Sequence, residues 1–175
     1  MNKAAVFLTG FLFVMLLLFS FPALRPAGQA VKLTTREQTE GRVRRIEYVD
    51  ENGQLTNNSQ GYAVILRLLD ADGNPAEEYY LDTEGNRVAR TGGYYGLQRI
   101  YNADHLCVQY AYTDQAGQPV MISSGYAAVR QVYNDQRQLT ALYYLDAAGQ
   151  PIALASGIYG EMRAYNEAGQ LAGST

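Results

Sequence analysis

The chain has 175 residues, room for one domain of ordinary size, and a net charge of −3. Residues 46–175 carry no lysine and a net charge of −8, which excludes a grip on nucleic-acid phosphates, a task for clustered Lys and Arg. A single cysteine, Cys107, excludes an intrachain disulfide and a CxxC metal site, and reads as a small, half-buried apolar residue.

In chain order, the first element is an apolar run. Met1-Asn2-Lys3 is followed by 21 uncharged residues, Ala4 to Leu24. As a helix at about 1.5 Å per residue this run spans roughly 30 Å, one bilayer core. Lys3 and the amino terminus are expected on the cytoplasmic side, with everything after Leu24 outside. The run is longer than a usual secretory apolar core, so residues 1–24 read as an uncleaved signal-anchor. Cleavage after Ala30, with Gly28 and Ala30 as the small residues at the cut, would instead give a secreted chain.

Residues 25–42 follow as a basic linker, the heart of a 25–45 stretch of net charge +4. A solvated linker is the plain expectation, and contact with anionic lipid heads is the functional one.

From residue 43 onward the chain is a repeat. Asp50, Asp82, Asp114 and Asp146 stand 32 residues apart, as do Gly53, Gly85, Gly117 and Gly149. Gly61, Gly93, Gly125 and Gly157 keep the same step, and so do Tyr48, Tyr80, Tyr112 and Tyr144. Tyr62, Tyr94 and Tyr126 give way to Ile158 in the last copy, and Tyr101, Tyr133 and Tyr165 follow Leu69. The units are 50–81, 82–113, 114–145 and 146–175.

Each unit reads as strands joined by turns. Asp-x-x-Gly places Asp where its side chain accepts from backbone amides and Gly where a left-handed conformation closes the turn. A short strand is expected next (Val120 to Ile122, Ile152 to Leu154), then a longer one such as Gly125 to Tyr133. A second turn opens at Asp70, Asn102, Asn134 or Asn166, and a strand such as Leu139 to Leu145 returns to the next Asp. Strict alternation over the long strand puts Tyr126, Ala128, Arg130 and Val132 on one side. Tyr, Val, Leu, Ile and Thr favour such pleated, half-buried positions. The expected fold is all-β, a tandem β-hairpin array preceded by one N-terminal hydrophobic helix. The array is either an elongated antiparallel sheet or solenoid-like, and each unit depends on its neighbours.

The unit resembles the tandem tyrosine-rich repeats of bacterial exported proteins, akin to YD/RHS-type repeats. Asp114, Gly117, Pro119, Gly125, Tyr126, Ala127, Tyr133, Asn134 and Leu139 carry the likeness, which covers nearly all of 43–175. It implies repetitive β-structure and a surface or interaction role. A weaker resemblance, in Tyr143 to Gly149 and Ala155-Ser156-Gly157, is to choline- or glucan-binding cell-wall repeats. Those are shorter and rely on Trp, of which this chain has none.

Catalytic chemistry finds little to work with. His105 is the sole histidine and sits in a turn where other copies have Gly73, Arg137 and Gly169, so it reads as a surface residue. A dyad with Cys107 is disfavoured, because i and i+2 side chains lie roughly 7 Å apart along a strand. Asp70-Ala71-Asp72-Gly73 invites calcium, but Asn74 and Leu81 occupy the fifth and twelfth positions of an EF-hand count, and turn chemistry explains the pattern without metal. No catalytic residue, cofactor or metal is therefore expected.

The remaining candidate is a ladder of Tyr48, Tyr80, Tyr112 and Tyr144 with Arg67, Arg99 and Arg163. It reads either as inter-repeat packing with Arg stems over rings or as an exposed aromatic strip for a glycan or peptide. The expected role is a non-catalytic, membrane-anchored interaction or spacer module outside the cytoplasm, and the alternative is a cell-wall glycan-binding module. Expected partners are the membrane, through residues 1–24, and cell-wall polysaccharide or another surface protein, with no nucleic acid.

Overall fold

The structure is a computed structural model that describes residues 32–175. The apolar run 1–24 and the first part of the linker lie outside the described residues. Among the described residues there is no helix long and apolar enough to cross a membrane.

The turns set the plan. At Asp50, Asp70, Asp82, Asn102, Asp114, Asn134, Asp146 and Asn166 the backbone N–H donates to the carbonyl four residues on, closing each loop. At each of the eight, the side-chain Oδ1 accepts from the backbone N–H of that same fourth residue, at 2.8–3.0 Å. This is the turn chemistry for which Asp and Asn are favoured. Gly117 shows why the residue three on from the Asp is glycine, since it takes φ +85. His105 and Arg137 adopt φ 59 and 63 in the same role.

Between the turns run ten strands: β1 (Thr34–Glu40), β2 (Val43–Val49), β3 (Val64–Leu69), β4 (Pro75–Leu81), β5 (Gly96–Tyr101), β6 (Cys107–Thr113), β7 (Ala128–Tyr133), β8 (Leu139–Leu145), β9 (Gly160–Tyr165) and β10 (Leu171–Ser174). They form one open antiparallel sheet whose strand order is the chain order. The described part is thus all-β, one open antiparallel sheet and not a solenoid. Tight hairpins β3–β4, β5–β6, β7–β8 and β9–β10 share one irregularity of register near the turn. A three-residue loop closes each of them, and the shift falls beyond it, at one extra residue of the returning strand: Ala76, Val108, Thr140 or Ala172.

Three details differ from the sequence reading. Strand β1 lies within the stretch read as basic linker, in continuous register with β2. The short strands expected at Val120–Ile122 and Ile152–Leu154 are not strands. Each long connection instead makes a single bridge, Thr113↔Pro119 or Leu145↔Pro151, and then turns again at Gly125 or Gly157. The long strand expected from Gly125 starts only at Ala128. Tyr126 therefore escapes strict alternation, and its ring joins Tyr112 and Tyr144 on the face of Val129.

The core sits where these long connections fold back over the sheet. Ala63, Ala127 and Thr113 are fully buried, beside Val64, Val129 and Leu145. Small residues at Ala63 and Ala127 let the connection lie close to the strands.

A valine at Gly117 must be forced into a left-handed conformation. Gly117→Val is expected to cost roughly 1–3 kcal/mol, read as a drop in Tm by circular dichroism. An unchanged Tm would contradict the turn assignment.

Candidate interaction site: the tyrosine ladder and the Glu78 cluster

Side chains alternate between the two faces of a strand, so Tyr48, Tyr80, Tyr112 and Tyr144 occupy one face at the ends of β2, β4, β6 and β8. Tyr62, Tyr94 and Tyr126, each just before an odd-numbered strand, fill the gaps between them. The seven rings form one unbroken series. Centroid separations are 5.5 Å for Tyr48–Tyr62, 5.1 Å for Tyr62–Tyr80, 6.3 Å for Tyr80–Tyr94 and 4.7 Å for Tyr94–Tyr112. Tyr112–Tyr126 at 5.8 Å and Tyr126–Tyr144 at 4.9 Å complete it. Most pairs are edge-to-face, the arrangement preferred by the ring quadrupoles. Tyr110 branches from Tyr112 at 5.8 Å.

The series is packed, not laid bare. Tyr62 and Tyr80 are 6% and 5% exposed, and the other five rings are half-buried. The Arg90 guanidinium stands 4.6 Å from the centroids of both Tyr62 and Tyr80, capping the most buried part of the ladder. Burial, before any hydrogen bond, pushes the Tyr80 and Tyr112 phenols far above their ordinary range. Burial likewise pushes Tyr110 up to about 12. These phenols stay neutral at physiological pH, so they can pack and donate hydrogen bonds but cannot serve as bases.

Two of the three arginines expected in the ladder meet at a residue that sequence reasoning missed. Glu78 on β4 is 5% exposed. Its Oε2 accepts from Arg67 Nε at 2.7 Å, and its Oε1 accepts from the Tyr80 hydroxyl at 2.5 Å and lies 3.5 Å from Arg99 Nη2. Arg67 lies directly opposite Glu78 in the sheet. Burial alone would raise the carboxyl, but the Tyr80 hydroxyl, Arg67 and Arg99 outweigh it and hold Glu78 below its ordinary value. Arg163 is elsewhere, paired with Glu161 on its own strand at 2.7 Å. The signal for Glu78 was legible: its counterparts in the other units are Ile46, Tyr110 and Leu142, so a carboxylate stands alone in an apolar column. Glu47, also buried, is held by Arg45 and Arg36 at 2.6 and 2.7 Å, on the opposite face.

The remaining tyrosine column acts as a set of ties. The hydroxyls of Tyr101, Tyr133 and Tyr165 donate to the carbonyls of Pro75, Cys107 and Leu139, each 26 residues earlier in the preceding hairpin. Exposed aromatic surface lies elsewhere, at Tyr143 and Tyr159, 40% and 59% exposed.

The turn residues Asp50, Gly53, Asp82, Gly85, Asp114, Gly117, Asp146 and Gly149 close the turns that follow the ladder strands, each Asp two residues beyond a ladder tyrosine. Asp70 engages Asn74 and Asp72 through its carboxylate, which lowers it from the ordinary value, with the Asn74 side chain as the largest cause. Among the described residues there is no cluster of three His, Cys, Asp or Glu placed to hold a metal ion. Exposed His105 has Nδ1 3.0 Å from Asn74 Oδ1, and half-buried Cys107 has its thiol pushed up by burial. No protein-family model matches the chain, and no curated protein matches it in sequence.

Glu78→Gln is expected to cost roughly 1–3 kcal/mol at pH 7, since it removes the carboxylate from two guanidinium groups. Glu78 ionises lower in the folded chain than its ordinary 4.5. Its contribution is therefore complete above that value and is lost as pH falls through the folded value. The Tm of the native chain should fall more steeply than that of Glu78→Gln between about pH 5 and 3, and parallel curves would contradict the assignment.

Proposed function

We propose that residues 32–175 form a non-catalytic interaction or spacer module, held outside the cytoplasm by the apolar segment 1–24. The observation that carries this reading is the unbroken ladder. The residues that recur from unit to unit close turns, stack on one another or tie hairpins together. A sheet that grows by adding hairpins changes length without changing its local packing, which suits a spacer. The likeness of the unit to exported tyrosine-rich repeats agrees with that role, as do the 21-residue uncharged run and the acidic, lysine-free repeat region.

A second reading, glycan binding, draws on one feature. Tyr143, 40% exposed, faces Gly160 on one side, which has no side chain to lay over its ring, and Tyr159 is next in chain to that glycine. An exposed ring with a polar tip suits stacking against a sugar.

Two measurements test these readings. A reporter enzyme active only outside the cytoplasm, fused after Thr175, is expected to be active, and an inactive fusion would contradict the extracytoplasmic placement. The purified chain is expected to show no saturable binding to peptidoglycan. Saturable binding that is lost in Tyr143→Ala/Tyr159→Ala would establish the glycan reading instead.

A further inference from the structure

The tight turns opened by Asp70, Asn102, Asn134 and Asn166 follow one another along one end of the sheet, and side chains tie each to the next. The tying residue stands three on from the Asp or Asn, in a column that reads Gly73, His105, Arg137 and Gly169. His105 reaches back one turn, with Nδ1 3.0 Å from Asn74 Oδ1. Arg137 reaches back in the same direction, and its Nη2 donates to the Asp104 carbonyl at 2.5 Å.

In the last pair of turns the column holds Gly169, which has no side chain to reach back. A cleft of about 200 Å³ stands there, lined by Gln136 and Gln138 from one turn and by Tyr165, Glu167 and Gly169 from the other. That is several times the roughly 30 Å³ that a water molecule takes in the liquid, so a side-chain head group has room. The two turns belong to hairpins that meet through β8 and β9, so the cleft lies within the sheet and not at its edge.

The lining repeats what Arg137 meets one unit earlier. Gln136 stands 32 residues after Asp104, so its carbonyl is the counterpart of the one that Arg137 engages, and it accepts from no donor among the described residues. Glu167 stands 32 after Asp135, the carboxylate of the turn that carries Arg137, and it has no ion pair among the described residues. The later pair of turns thus keeps the carbonyl and the carboxylate and lacks the guanidinium. Guanidinium-to-carbonyl bonds join neighbouring turns elsewhere too, from Arg42 Nε to Leu69 O at 2.7 Å and from Arg87 Nη1 to Gln115 O at 2.9 Å. The group suits the task because its planar fork of N–H donors serves a carbonyl and a carboxylate together and its face stacks on an aromatic ring.

We propose that the cleft between the 134–137 and 166–169 turns binds a guanidinium group, that of an arginine side chain presented by a partner protein. Bound there, the guanidinium donates to Gln136 O and to the Glu167 carboxylate beside the half-buried Tyr165 ring. The Tyr165 hydroxyl is already committed to Leu139 O and Gln138 Nε2 to Gly169 O, both at 2.8 Å, so the walls are set before the ligand arrives. The proposal stands on these two turns alone and does not depend on where the domain is located.

Amide chemical shifts of the isotope-labelled full chain in detergent test it, with N-acetyl-arginine methylamide as the probe and its lysine analogue as the control. The arginine probe is expected to shift the amides of Gln136, Gln138, Glu167 and Gly169 saturably. The lysine analogue should bind several-fold more weakly, since an ammonium cannot form the fork. Glu167→Gln should weaken arginine binding about two- to fivefold, the worth of an exposed charge pair. Gly169→Arg supplies the guanidinium within the chain, at a backbone φ of +75 close to the φ 63 of Arg137, and should abolish the response. A Cβ at position 169 meets only Gln138 Nε2, at 3.1 Å, the movable end of a side chain. Absence of saturable shifts in the native chain would overturn the proposal. So would equal binding of the lysine analogue, or an undiminished response in a Gly169→Arg chain whose circular dichroism matches the native one.

Discussion

A sheet with no second layer has to find its core within its own thickness, and the rest of this structure follows from how it does so. The described chain is one sheet of ten strands, and rings that cross the strands join the small buried residues in holding neighbouring units together. Seven tyrosines, in six successive contacts, link β2 through β8 along one face. At about 0.5–1.5 kcal/mol per pair beyond area burial, such a series is worth roughly 3–9 kcal/mol. That is comparable with the whole stability of a typical domain, about 5–15 kcal/mol. The long connections that deliver Tyr62, Tyr94 and Tyr126 are therefore part of the core, although they hold almost no strand of their own.

The division of labour bears on function. Positions that recur in most or all units are committed to turns, ring contacts and inter-hairpin ties. Individuality is confined to columns where units differ, such as Glu78 against Ile46, Tyr110 and Leu142. A buried carboxylate held by two arginines and a phenol gives one unit an identity that its neighbours lack. A ligand that reads this surface would meet the differing side chains, since the shared ones face one another.

Much of the architecture was legible in the sequence. The 32-residue step placed the Asp and Asn turns, because a carboxylate or amide accepting from a backbone amide and a glycine with positive φ are local chemistry. Leu139 to Leu145 was legible as a strand for the same reason. The short strands at Val120 and Ile152 were not, because β-propensity records a half-buried environment, and here a connection lying over a sheet supplies it without pairing. Tyr126 was assigned to the wrong side since alternation holds only inside a strand. Tyr48, Tyr80, Tyr112 and Tyr144 share one face, and their companions Tyr62, Tyr94 and Tyr126 belong to a second column whose interleaving needs three dimensions. Glu78 was passed over because recurrence, the strongest signal available, hides a residue that occurs once.

The central claim is that adjacent rings hold neighbouring units together. A double-mutant cycle on Tyr94 and Tyr112, whose centroids are 4.7 Å apart, tests it most directly, with Tyr62 and Tyr126 as a pair that share no contact. The account predicts a coupling of about 0.5–1.5 kcal/mol for the first pair and additivity within about 0.5 kcal/mol for the second. Additivity at Tyr94 and Tyr112 would contradict it.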